Sequence, residues 1–295
     1  MFEEELVSNE KIEFDFPDGI ELYIKREDLL HKEISGNKFR KLKYNFKEAK
    51  GLGFSKIVTF GGAYSNHIAA TAAAGRIYGM QTIGIIRGDE LVSNFMNNPT
   101  LKKAHDDGMR FEFISRTEYR KRNDIGFLEM LKKTYPDSYI IPEGGTNEVA
   151  VLGCEEILKT KDNSFDVICC AVGTGGTLSG LIKTSNSNQK ILGFPALKGD
   201  FLSEDIRKFV GEKSNWELNL EYHFGGYGKM TNELMLFIGK FKKDTGILLD
   251  PIYTCKMMFG IMDLIEKRKF KKGSKILAIH TGGLQGWNDS IKLKG

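Results

Sequence analysis

The strongest constraint on this chain is a succession of short apolar runs, each closed by glycine or a turn. Between residues 55 and 185, "SKIVTFGG", "QTIGIIRG", "MRFEFIS", "SYIIPEGG" and "FDVICCAVG" alternate with segments of helical period such as "SNHIAATAAAGRIYG", "NEVAVLGCEEILKT" and "TLSGLIKTS". The apolar runs are continuous rather than alternating, as in strands buried on both faces. Strand and helix in turn is the βαβα order of a parallel sheet covered by helices, an α/β fold. "KILGFPA" and "KILAIH" read as further strands, and a helical stretch is expected up to Gly108. "TNELMLFIGKFKKDTG" and "YTCKMMFGIMDLIEKRK" carry apolar residues at helical spacing, the second ending in basic residues that suit a helix C-terminus.

At 295 residues the chain is long for one domain, so two are expected. No Pro/Gly/Ser-rich linker divides it, so the chain is expected to cross between domains more than once and to form a cleft where a small molecule binds. Lys plus Arg exceed Asp plus Glu by 43 − 39 = +4 with the signs mixed, which describes a solvated surface and not a nucleic-acid stripe. The acidic start "MFEEELVSNE" lacks the order of a signal peptide, and no apolar run approaches the roughly 18 residues of a membrane span. Cys154, Cys169, Cys170 and Cys255 form no CxxC pair, so neither zinc nor a disulfide framework is expected. Buried free thiols in a reducing, cytoplasmic compartment are the expectation.

Three glycine-rich loops follow strands. In "AVGTGGTLSGL" (171–181), Gly173, Gly175 and Gly176 let the backbone curl so that N–H groups converge on an anion at a helix start, and Thr174 and Thr177 add hydroxyls; this reads as a phosphate site. It matches neither the dinucleotide fingerprint nor the Walker pattern. In "TFGGAYSNHIAATAAAG" (59–75), Ser65 or Asn66 can cap the following helix, and the polar run Ser65, Asn66, His67 suggests a carboxylate site. His67 stands in the first turn, where a cationic imidazole is disfavoured. "HTGGLQG" (280–286) is the third loop. Loops at the carboxyl ends of parallel strands open on one crevice.

The scattered histidines supply no metal cluster, and the nucleophile elbow GxSxG is absent. What remains is a phosphate cradle, a carboxylate cradle and a lysine in the glycine-flanked "SGNKFRKL". A phosphate-bearing aldehyde held by lysine as a Schiff base uses all three, and pyridoxal phosphate is the cofactor that fits.

"SGNKFRKL", "GGAYSNH", "PEGGTN", "AVGTGGTLSGL", "GGYGK", "LLDPIYTCKM" and "HTGGLQG" also occur in an order that resembles the 1-aminocyclopropane-1-carboxylate deaminase and D-cysteine desulfhydrase family. The resemblance runs from about residue 25 to 288. It implies the tryptophan synthase β-subunit fold type: two domains, each a mainly parallel twisted sheet covered by helices, with pyridoxal phosphate in the cleft between them. Residues 1–45 and 150–295 would form the larger domain and 46–149 a smaller inserted one. Lys38 would be the Schiff-base lysine, Lys41 a phosphate contact, and Gly173, Thr174, Gly175, Gly176 and Thr177 the cradle. Asn66 would lie beside the pyridine ring and its 3-oxygen. Ser65 would serve the substrate carboxylate or act as acid/base, with His67 beside it, and Tyr227 and Tyr253 would face the substrate. A homodimer without a metal is implied. Ser35, Phe39, Ala63 and Tyr64 depart from the family's pattern.

In that family the ring-opening deaminases are expected to carry Glu after the tyrosine of DPxY, facing the pyridine nitrogen, and Leu in the His-x-Gly-Gly stretch. Here Thr254 and Thr281 stand there, Thr254 as a cofactor contact and Thr281 as a substrate contact. A neutral hydroxyl supports a weaker electron sink than a carboxylate, which suits α,β-elimination after loss of an α-proton. The resemblance therefore implies a lyase or hydrolase that deaminates a small amino acid such as D-cysteine to pyruvate, ammonia and hydrogen sulfide. The alternatives are the cyclopropane deaminase, a β-replacement synthase, and a non-catalytic ligand-binding relative.

Overall fold

The computed structural model describes residues 7–199 and 201–287. Its strands are β1 (Asn9–Lys11), β2 (Glu21–Lys25), β3 (Lys56–Gly61), β4 (Gln81–Arg87), β5 (Arg110–Ile114), β6 (Ser138–Ile141), β7 (Val167–Val172), β8 (Lys190–Pro195), β9 (Trp216–Leu218) and β10 (Lys275–Ile279). The helices are α1 (Asn37–Gly51), α2 (Asn66–Tyr78), α3 (Pro99–Asp106), α4 (Arg116–Tyr119), α5 (Ile125–Thr134), α6 (Glu148–Glu155), α7 (Gly176–Thr184), α8 (Leu202–Val210), α9 (Asn232–Thr245) and α10 (Thr254–Glu266).

One sheet has the order β1-β2-β10-β7-β8-β9 and the other β5-β4-β3-β6. Every pairing is parallel except β1 with β2. The chain builds β1 and β2 of the larger sheet, then all of the smaller one, and returns for β7 to β10. Central β7 is buried at every residue, which is why its sequence VICCAV is apolar throughout. On one side of the larger sheet, Cys169, Leu192 and Ala278 pack against α9 and α10 through Leu234, Ile238, Met258 and Ile261. On the other, Ile168, Cys170 and Ile279 pack against Leu178, Leu181 and Ile206 of α7 and α8.

Several features differ from the sequence reading. β2 (ELYIK) lacks the continuous apolar run because Glu21 and Tyr23 are only half-buried and the buried Lys25 is ion-paired with Asp162 at 2.9 Å. The helix ending near Gly108 starts only at Pro99, where the Asn98 side chain accepts from the N–H groups of Thr100 and Leu101, both at 3.0 Å. The amphipathic α8 and the three-residue strand β9 were not expected.

Helices α1, α6 and α7 stack closely because glycine stands at their contacts. A Cβ on Gly153 would lie 2.1 Å from the Arg40 carbonyl oxygen, and one on Gly180 would lie 2.5 Å from the Cys154 Cβ. The start of α1 is held by Arg40, whose guanidinium donates to both oxygens of Glu27 at 2.9 and 3.0 Å in a buried two-pronged pair. These contacts fix the first two turns of α1, which carry Lys38 and Lys41, opposite the loop entering α7.

Candidate active site

A cavity of about 1110 Å³ lies among the strand ends, lined by residues of both sheets' loops and by α1. Lys38, Lys41, Ser65, Asn66, His67, Gly173, Thr174, Gly175, Thr177, Tyr227, Tyr253 and Thr281 all line it. Gly176 lies behind that wall, where a Cβ would meet Thr146 at 2.9 Å and the Lys41 Nζ at 3.2 Å.

Gly36 brings Lys38 into place. It precedes α1 with φ +57°, a region L-residues avoid, and a Cβ there would lie 2.0 Å from the Thr281 carbonyl oxygen. The Asn37 N–H donates to that same oxygen at 3.2 Å, so the helix start is docked directly on the 281–283 loop. The Asn37 amide then donates to the Thr177 hydroxyl at 2.8 Å, tying α1 to the glycine-rich loop.

Lys38 and Lys41, one helical turn apart, both donate to the Gly144 carbonyl oxygen at 3.1 Å. Lys41 also donates to the Thr146 hydroxyl at 2.9 Å and reaches that of Thr174 at 3.4 Å. Lys38 presents part of its surface to the cavity and has protein on every other side. Burial, and after it the neighbouring Lys41 charge, hold its pKa well below the usual lysine value. Burial lowers Lys41 as well. A lysine so placed offers a free amine at lower pH than an exposed one, the property a Schiff-base lysine needs.

His67 is neutral. Burial lowers its pKa far below the ordinary value, and the charges of Lys38 and Lys41 lower it further. The single Thr59 hydroxyl proton goes to the Ile141 carbonyl at 2.9 Å, so the His67 Nε2–H must donate to Thr59 across their 2.7 Å contact. Its Nδ1 is then an acceptor with no partner among the described residues. Ser65 is the residue that caps α2, accepting from the Ile68 N–H at 3.3 Å and keeping its own proton to donate. The Asn66 Oδ1 is buried and likewise without a partner.

Tyr253 and Tyr227 stand edge to face with centroids 6.0 Å apart. Burial, then the Tyr227 hydroxyl and Asp250, raise Tyr253 well above the ordinary phenol value; burial raises Tyr227. Both remain phenols at neutral pH. Tyr227 stands on a glycine-rich turn that Lys256 of α10 holds from beneath, its buried ammonium donating to the carbonyls of His223 at 2.9 Å and Gly226 at 2.8 Å.

Thr254 alone among the expected contacts lies neither on the cavity wall nor behind a cradle glycine. It is fully buried, and its hydroxyl donates to Asp250 at 2.7 Å while accepting the Asp250 N–H at 2.8 Å. Asp250 also accepts the N–H groups of Ile252, Tyr253 and Thr254, capping α10. A Cβ on Gly283, which does line the cavity, would lie 3.3 Å from the Asp250 carboxyl carbon. A carboxylate thus backs this wall where the sequence reading placed only a hydroxyl, because cap geometry is invisible in the string "DPIYT". Asn37, Gly144, Thr146, Asp250 and Lys256 were missed; "PEGGTN" was singled out as a motif, but a backbone carbonyl leaves no residue-specific mark.

This arrangement defines a class: a cleft in two parallel sheets with a buried amine, a second cation and a glycine-lined anion cradle. Residues 14–282 match the family model described as "Pyridoxal-phosphate dependent enzyme", and the chain belongs to that family. It is 34% identical to a Pyrococcus horikoshii protein whose name gives 1-aminocyclopropane-1-carboxylate deaminase provisionally, over 91% of this chain and 86% of that one. It is 32% identical to the mitochondrial bifunctional D-cysteine desulfhydrase/1-aminocyclopropane-1-carboxylate deaminase of Arabidopsis thaliana, over 93% of this chain and 75% of the relative. A crystal structure of an ACC deaminase homologue superposes with a TM-score of 0.78 at 30% identity, covering 97% and 92% of the two chains. The cofactor is therefore pyridoxal phosphate. The site suits it: two lysine amines face a cradle of glycines and threonine hydroxyls, and the orphaned Asn66 and His67 atoms offer unfilled polar contacts.

Proposed function

We propose that this enzyme removes the amino group of a small amino acid by α,β-elimination, as a D-cysteine desulfhydrase does, giving pyruvate and ammonia, and hydrogen sulfide when the substrate is D-cysteine. The observation that carries this is the convergence of the Lys38 and Lys41 amines on the Gly144 carbonyl, opposite the 173–177 loop. Lys38 would hold the cofactor aldehyde covalently. Lys41, Thr174, Thr177 and the loop's N–H groups would hold the phosphate, with Gly176 giving room for Lys41. When bound, pyridoxal phosphate supplies an electron sink for the substrate's Cα.

The chain's own groups do the rest. The α2 N-terminus, with the Asn66 and His67 N–H groups and the Ser65 hydroxyl, binds the α-carboxylate. Lys38, once released, is the amine that takes the Cα proton. Tyr253 and Tyr227, both protonated, are placed to donate to the departing β-substituent. Asp250 acts through Thr254 and the α10 cap to orient Tyr253. The bond to the β-substituent breaks by elimination and not by attack of water, so the activity is a lyase's. The hydrolase class expected beside it is withdrawn, because the relatives' activities and this donor set fit elimination.

Residues 46–149, which include the smaller sheet, are read as an inserted domain on a larger one made of 1–45 and 150–295. A cytoplasmic homodimer is the reading for the assembly, supported by the four buried free cysteines and the family resemblance. No helix among the described residues is long and apolar enough to cross a membrane. The test is pyruvate formation from D-cysteine and from 1-aminocyclopropane-1-carboxylate, with Lys38→Ala as control. Preference for D-cysteine, lost in the variant, is expected; clear preference for the cyclopropane substrate overturns the desulfhydrase reading.

A further inference from the structure

The cavity contains one more cation than this chemistry uses. Its side wall carries Arg116, Arg122 and Lys208, and each has a carboxylate partner: Glu90 at 2.6 Å, Glu143 at 2.7 Å and Asp205 at 2.6 Å. Lys38 and Lys41 belong to the cofactor end. Arg87 is left, and among the described residues its guanidinium forms neither an ion pair nor a hydrogen bond.

Arg87 is the last residue of β4, and its guanidinium lies in the cavity over the ring of Tyr119, 5.8 Å from the centroid. Tyr119 is a rigid platform: it is 2% exposed, and its hydroxyl donates to Glu143 at 2.7 Å. The guanidinium also lies against Gly62, where an added Cβ would sit 3.3 Å from Nη2, its three nearest atoms all belonging to Arg87. The missing side chain at Gly62 therefore leaves Arg87 its place beside the 62–65 loop that enters α2. A guanidinium beside a fixed ring, which Arg122 also faces at 5.1 Å, keeps its planar N–H fork free for two-pronged contact with an oxyanion.

The substrate's α-carboxylate does not require that fork. The Asn66 and His67 N–H groups, in the first turn of α2, and the Ser65 hydroxyl already match its two oxygens. We propose that Arg87 binds a second anionic group, on the β-substituent, so that the preferred substrates are amino acids whose leaving group is itself an oxyanion, such as a phosphate or sulfate ester. This rests on the elimination reading above. In that step the Cα–H proton passes to Lys38, and the electron pair left on Cα forms the Cα–Cβ double bond. The Cβ–O pair departs with the phosphate or sulfate, whose charge Arg87 neutralises.

Calorimetric titration of the holoenzyme tests this without turnover. The ligands are 2-amino-3-phosphonopropionate, whose C–P bond cannot leave, and uncharged-side-chain 2-aminobutyrate, each as both enantiomers. The wild type is expected to bind the phosphonate at least about tenfold more tightly, and the ratio to fall to about one in Arg87→Met with a smaller fall in Arg87→Lys. A wild-type ratio near one, undetectable phosphonate binding, or a ratio that survives Arg87→Met overturns the proposal; the last includes the case in which Arg87 serves the α-carboxylate and both ligands weaken together. Pyruvate release from O-phosphoserine is measured in parallel. Its absence counts against the elimination reading, while the binding ratio still decides the role of Arg87.

Discussion

Gly36→Ala replaces the one glycine that both precedes the Lys38 turn and touches the opposite wall. Its φ of +57° with ψ of −135° is a glycine-favoured conformation that costs an L-residue about 1–2 kcal/mol. The new methyl would lie 2.0 Å from the Thr281 carbonyl oxygen and 2.8 Å from the Gly282 nitrogen, both backbone atoms that cannot swing aside. Relieving an overlap of that kind costs about 1–3 kcal/mol more. The sum, about 2–5 kcal/mol, lowers the melting temperature by about 4–10 °C at the roughly 2 °C per kcal/mol of a chain this long. Whatever moves is part of the site, since the start of α1 carries Lys38 and the 281–283 loop lines the cavity. A displacement near 1 Å is expected to lower kcat/KM on the order of a hundredfold. Differential scanning calorimetry with steady-state pyruvate formation measures both. A variant with unchanged melting temperature and activity would refute the claim that the α1 start and the 281–283 loop are in rigid contact.

Lys256→Met leaves the His223 and Gly226 carbonyls without their donor while relieving a buried charge, so a net loss of about 2 kcal/mol is expected from thermal unfolding. The Tyr227 turn loosens with it, so KM is expected to rise; unchanged kinetics would mean that Lys256 is only structural. The depressed Lys38 pKa gives a pH dependence: below the usual lysine value of about 10.4 the unfolded chain binds a proton that the folded apoprotein does not, so stability rises with pH. Just below that value, chemical denaturation of the apoprotein should show a steeper rise with pH in the wild type than in Lys38→Met. Equal slopes would show that Lys38 is not held deprotonated.

The central strand β7 was legible because burial at every residue leaves no polar side chain in it. β2 was not, since half-buried positions admit Glu21 and the buried Lys25 is ion-paired with Asp162. The site was legible where side-chain absence or type matters, at the glycines around Thr174 and at Ser65, Asn66 and His67. It was illegible where the backbone acts, as at the Gly144 carbonyl shared by two lysines, and where a fold-dependent cap decides, as at Asp250 with Thr254. Arg87 is a lone arginine at a strand end, and only the Tyr119 platform and the pairing of its neighbours mark it out.

The central claim is that Lys38 is the amine that carries the cofactor. Borohydride reduction of the holoenzyme followed by peptide mass spectrometry tests it directly. A phosphopyridoxyl group on Lys38, absent in Lys38→Ala, is the predicted result; the group on Lys41 or any other lysine would contradict it.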